Sequence, residues 1–142
     1  MKDEANKRPV LVIPCSGIGK VHGLLSREAT YLVTDEIAPG KTDTMCLALL
    51  VKGDPEALEA IRSRDCITID GCPKACAEKN VKIAGGNPGK IVQVADTLKD
   101  HRGAKPGSAT ELTEEGWAIA REIAAKVADA AVRLREGREE GR

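Results

Sequence analysis

Three of the chain's five cysteines fall in one stretch, Cys66-Ile-Thr-Ile-Asp-Gly-Cys72-Pro-Lys-Ala-Cys76. Sulfur binds metals and attacks electrophiles as the thiolate, so what matters is which elements present these thiols and what lowers the cost of ionising them. Ile67, Thr68 and Ile69 are branched at Cβ and predict a short strand; Asp70-Gly71 ends it, and Pro73 suits the first position of a helix running to about Ile83. Cys72 then falls at or beside the N-cap, and Cys72 and Cys76, four apart, share a helix face near a terminus whose free amides favour thiolate. Such a pair suits a metal ligand set or a reactive sulfur.

The rest of the chain must carry that stretch. Val10 to Ile13 is a continuous apolar run, the pattern of a strand covered on both faces, and it ends at Pro14-Cys15-Ser16-Gly17. From Ile18 to Glu36 apolar residues recur three and four apart and predict an amphipathic helix. Lys41 to Met45 reads as a short extended piece, and Cys46 to Val51 as either a buried strand or a buried helical turn. Asp54-Pro55 is a helix start, with the helix running to about Ser63. Gly85 to Gly89 is a turn before a strand at Ile91 to Val94, and residues 97–110 read as an exposed connection with a solvated His101. Thr113 caps a last helix whose apolar stripe runs from Trp117 to Leu134, with Glu122–Lys126 and Asp129–Arg133 pairs on its outer face.

Alternating strands and helices predict an α/β fold, a three-layer sandwich with a small, mostly parallel sheet, Rossmann-like. The expected organisation is a polar lead (1–8), one domain (9–136, its cysteine core at 10–96 and its last helix at about 113–136) and a polar tail (137–142). Ligands of such sheets bind beyond the carboxyl ends of the strands. Cys15 ends the first strand, Cys72 follows the strand at 67–69, and an extended 41–45 would bring Cys46 to the same edge. The expectation is a four-cysteine site of Cys15, Cys46, Cys72 and Cys76, in the tetrahedral thiolate set that zinc prefers. The competing reading makes the cysteines small buried hydrophobes, and that is the expectation for Cys66, which enters a strand rather than leaving one.

Other chemistry is constrained by what is missing. With Gly19-Lys20 aligned to a P-loop, Pro14 stands where glycine is needed and Val21 where Ser or Thr is needed. A dinucleotide fingerprint from Gly17 lacks glycine at His22, and a cysteine-phosphatase loop lacks arginine at Val21. Lys plus Arg equals Asp plus Glu at 22 each, and the only aromatics are one Trp and one Tyr. That excludes a global field for nucleic acid or an anionic membrane and leaves no base-stacking platform. The charged start before a short apolar run fits neither a secretory signal nor a span, and five cysteines without an export signal point to the reducing cytoplasm. A protein partner, the oligomeric state and any reaction stay open.

Taken together, Cys15-Ser16-Gly17 after the first strand, Cys46-Leu47, and Asp70-Gly71-Cys72 followed by Cys76-Ala77 resemble the DGC-domain family, named for its Asp-Gly-Cys triplet. The resemblance runs from about Val10 to Asp96. It implies zinc held by Cys15, Cys46, Cys72 and Cys76, in a structural or metal-handling role, and brings no reaction with it. Four thiolates also suit an iron-sulfur cluster, and Cys72 with Cys76 suits a dithiol or persulfide redox protein.

Overall fold

The computed structural model describes residues 8–139 apart from Ser16 and Ile18, with side chains as far as Gly137. The polar lead up to Lys7, Ser16 of the Cys-Ser-Gly motif, and residues 140–142 of the tail therefore lie outside the described residues. In chain order the elements are β1 (Val10–Pro14), α1 (Val21–Leu32) continued by a π-helical turn (Val33–Ile37), β2 (Thr42–Thr44), α2 (Leu47–Lys52), α3 (Pro55–Ser63), β3 (Cys66–Asp70), α4 (Cys76–Ile83), β4 (Lys90–Gln93), α5 (Val94–Leu98), a 3-10 turn (Lys99–His101) and α6 (Glu114–Glu139).

The strands form one sheet in the order β2-β1-β3-β4, parallel throughout, with Leu11 opposite Cys66, Val10 opposite Thr42 and Ile67 opposite Lys90. Side chains alternate between the two faces of a strand, and both faces here are apolar. Val10, Val12, Ile67, Ile69 and Val92 pack under α1 and α6; Leu11, Ile13 and Cys66 pack under α2, α3 and α4. The result is a mixed α/β protein with helices on both sides of a parallel sheet, consistent with the Rossmann-like three-layer sandwich read from the sequence.

Local chemistry explains most boundaries. The Asp54 carboxylate accepts the Ala57 amide at 3.0 Å and Pro55 fills the first position of α3. Gly53, at φ 86°, closes α2 in the left-handed conformation that glycine adopts without strain. Thr113 accepts the Gly116 amide at 3.1 Å and so caps α6. Both predicted pairs on α6 form, Asp129–Arg133 at 3.0 Å and Glu122–Lys126 at 3.7 Å.

Four expectations are corrected. The stretch after Cys46 is a helix, and Val51 on it is 65% exposed rather than buried. The strand at 91–94 is shifted to Lys90–Gln93, and the connection after it holds α5 and the 3-10 turn, because Val94 and Thr97 find burial against α6 that no local pattern announces. His101 is not solvated: its Nε2 lies 2.9 Å from Glu122 Oε1. The helical backbone of α6 runs to Glu139, past the expected tail boundary at Gly137.

Candidate functional site at the carboxyl edge

Strand order places the switch point of this sheet between β1 and β3, where the chain first leaves to one side toward β2 and then returns to the other. The two turns that leave β1 and β3 carry Cys15 and Asp70-Gly71-Cys72. Cys15 extends the ladder, its amide donating to Ile69 O at 2.9 Å. The Gly71 amide donates to Cys15 Sγ at 3.2 Å, so the Asp-Gly-Cys turn and the first cysteine are in direct contact. Ser26 Oγ lies 3.4 Å from the same sulfur and donates to Gly23 O at 2.7 Å.

Backbone crowding fixes this corner. A Cβ on Gly71 would lie 2.8 Å from the carbonyl carbon of His22, one on Gly17 would lie 2.9 Å from Gly23 Cα, and one on Gly23 would overlap the Gly17 carbonyl. The Cys15 loop, the first turn of α1 and the Asp-Gly-Cys turn therefore meet main chain to main chain. Glycine at all three positions is a steric requirement.

Beyond Gly71 the structure departs from the expected helix start. Pro73 and Lys74 lie in a turn closed by the Ala75 amide donating to Cys72 O at 3.1 Å; Ala75 takes the left-handed conformation at φ 54°, and α4 begins at Cys76. Cys72 and Cys76 therefore do not share a helix face. The cause is Asp70, which reaches forward from the end of β3. Its Oδ1 accepts the Ala77 amide at 2.7 Å and its Oδ2 the Glu78 amide at 3.1 Å. A carboxylate on the first amides of α4 caps that helix from outside it, so the chain in between must loop. Asp70 is 1% exposed, and burial pushes its carboxyl above the usual range, with the two amides pulling the other way.

The remaining cysteines are placed by the topology. Cys46 follows β2 and stands as the N-cap of α2, exposed; Cys72 is half-buried and Cys76 exposed. Cys15 is buried, and all five cysteines are free thiols. Since β1, β2 and β3 are parallel, Cys15, Cys46, Cys72 and Cys76 all follow the carboxyl ends of strands. Cys66 starts β3 at the opposite edge, roughly 13 Å away along the strand at about 3.3 Å per residue. Four thiols are the donor type that a thiophilic metal or a cluster takes. Convergence is a separate requirement, and among the described residues no three His, Cys, Asp or Glu side chains lie close enough to hold a metal ion. The donor chemistry fits a metal; the side-chain arrangement would have to draw together around it.

Sequence reasoning passed over Ser26, Gly23 and Thr68. Ser26 and Thr30 interrupt the apolar face of α1, each returning its hydroxyl to a carbonyl one turn back, at 2.7 and 2.8 Å; a buried hydroxyl on an apolar stripe was the available signal. Thr68 Oγ1 is buried without a hydrogen-bond partner, two residues before Asp70 on the same strand.

Cys66 behaves as a core residue with a measurable signature. Burial, reinforced by the charge of Asp65 and opposed by the Asn87 amide, pushes its thiol from 9.0 up to about 11. The folded state then keeps a proton that the unfolded state has lost, so stability falls as pH rises from about 9 to about 11, by about 2–3 kcal/mol in full. Urea unfolding at pH 8 and pH 10.5 should show that component in the wild type and lose it in Cys66→Ala; equal slopes in both would refute it.

The sequence profile of the DGC domain matches residues 11–119. That match reaches past the resemblance at 10–96 and into α6. No curated protein and no solved structure matches the chain. Among the described residues no helix is long and apolar enough to cross a membrane.

Proposed function

This chain belongs to the DGC domain family, and from that premise we propose that the carboxyl edge of its sheet binds a thiophilic metal ion, zinc first, through Cys15, Cys46, Cys72 and Cys76. The supporting observation is the direct contact between the two turns at the switch point, Gly71 N–H to Cys15 Sγ at 3.2 Å, with Cys46 and Cys76 opening the helices that follow β2 and β3. Exposure of Cys46 and Cys76 favours metal handling over a closed structural centre, because a ligand open to solvent can pass its ion to another thiol. Cys46, Cys72 and Cys76 belong to neither apolar core, which also suits an ion that comes and goes. Five free thiols fit a reducing compartment, so the cytoplasm is the proposed location.

The test is anaerobic purification followed by metal analysis, a visible spectrum and thiol titration on one sample. Stoichiometric zinc without colour is the expected result, and Ser in place of any one of the four cysteines should weaken zinc binding by roughly tenfold or more. Iron with labile sulfide would replace zinc with a cluster. A metal-free protein with a titratable Cys72–Cys76 dithiol would replace both with redox chemistry.

A further inference from the structure

A second concave site lies away from the cysteines, on the face of the sheet covered by α1 and α6. Three elements wall a cavity of about 330 Å³: α1 with Leu24 and Glu28, the segment before α6 with Thr110, Glu111 and Leu112, and the start of α6 with Trp117. Trp117 is the chain's one tryptophan. Leu24 and Trp117 are half-buried against the core and Leu112 is buried, so the cavity has an apolar floor.

The walls are fixed before anything binds. Residues 105–113 fold back on themselves: the Ser108 amide donates to Glu111 O at 2.8 Å, the Thr113 amide to Pro106 O at 2.9 Å and the Thr113 hydroxyl to Lys105 O at 2.6 Å. A Cβ on Gly107 would overlap the Glu111 carbonyl, and one on Gly116 the Pro106 carbonyl. The doubled segment is therefore strapped, main chain to main chain, onto the start of α6. Small-molecule sites are concave and largely preformed in this way. The DGC profile also runs on to residue 119, through this segment and Trp117, although the last cysteine is Cys76.

The lining says which ligand. It carries two carboxylates, Glu28 and Glu111, and no basic side chain. Among the described residues neither carboxylate has an ion-pair or hydrogen-bond partner. An anion would be repelled by both. A metal ion needs more ligands, and among the described residues no three His, Cys, Asp or Glu side chains gather to hold one. The face of an indole attracts a cation through its ring quadrupole, and an organic ammonium ion can also shed water from its carbon groups against leucine. Aromatic face, two acids and apolar floor select that one chemistry.

We propose that the Trp117 cavity binds a small alkylammonium ion, with its charge held by Glu28 and Glu111 and its carbon body on Trp117, Leu24 and Leu112.

Tetramethylammonium chloride titrated into the full chain, in reductant and chelator, should change the Trp117 fluorescence saturably, with a midpoint on the order of millimolar. Sodium chloride at equal ionic strength should not, nor should tert-butanol, which is similar in shape but uncharged. Glu28→Gln and Glu111→Gln should each weaken binding by roughly fivefold with the thermal midpoint unchanged. Trp117→Leu, followed by the broadening of the ligand's own proton resonance, should weaken it by at least roughly fivefold. The absence of any saturable response would overturn the proposal. An equal response to sodium would reduce it to a bulk ionic effect, and an equal response to tert-butanol to a plain apolar crevice; either result overturns it. So would binding that both glutamine variants leave intact. The readout needs no zinc, so failure here leaves the cysteine site untouched, and the reverse.

Discussion

Gly23→Ala should destabilise the protein by about 2–3 kcal/mol, although alanine is the better helix former by about 1 kcal/mol. The sign is decided by what the new methyl meets. Gly23 is buried in the first turn of α1, and its Cβ would overlap the Gly17 carbonyl. A flexible side chain could swing aside, but a carbonyl in a loop held by the Cys15 ladder bond moves only with the loop. Either α1 tilts away from β1, opening the apolar face of Leu25 and Ala29, or the loop shifts and carries Cys15 away from the Gly71 amide. Denaturant unfolding measures the first cost and the rate of thiol modification at Cys15 the second. A Gly23→Ala protein as stable as the wild type, with Cys15 equally protected, would show that the crowding is illusory.

Asp70→Ala should cost about 2–4 kcal/mol, the second large effect. Two amides at the start of α4, Ala77 and Glu78, lose a charge-assisted acceptor, and a fully enclosed side chain is replaced by a void. Asp70→Asn keeps one acceptor oxygen and should fall between. Since the carboxylate also shapes the loop through Cys72 and Ala75, the alanine protein should expose Cys72 to alkylation faster, while Cys66, at the far end of the strand, stays inert until global unfolding. Equal stability of Asp70→Ala and wild type would mean that the turn holds itself.

Much of this was legible in the residues, for identifiable reasons. β1, β3 and α6 announce themselves because burial on both faces or on one stripe leaves a repeating mark in the sequence. Asp54-Pro55 announces α3 because its cap is made by its own neighbour. The start of α4 was misread because its cap is Asp70, six residues before Cys76 and across a turn; capping rules look one to three residues ahead, and Pro73 supplied a nearer and false signal. α5 was missed because Val94 and Thr97 are buried by α6, whose position only the assembled fold fixes. In the Asp-Gly-Cys triplet the sequence marks Asp70 as an acceptor for nearby amides and Asp70-Gly71 as the strand's end, and the structure specifies both roles: Asp70 caps α4, and Gly71 lets the backbone approach His22 and Cys15.

The pairing of β1 with β3 has a consequence for whatever binds at the carboxyl edge. Gly71 and Cys15 are 56 residues apart in the chain and in contact in the fold. For the unfolded chain to hold one ligand with both turns, it must first close that loop, at an entropic cost that rises with its length. The sheet has already closed it, so each sulfur-bearing turn meets the other at an effective concentration set by register instead of by diffusion. Ligand affinity and fold stability are then linked: a molecule gripping both turns binds the native chain far better than the denatured one, and the thermal midpoint must climb with its concentration.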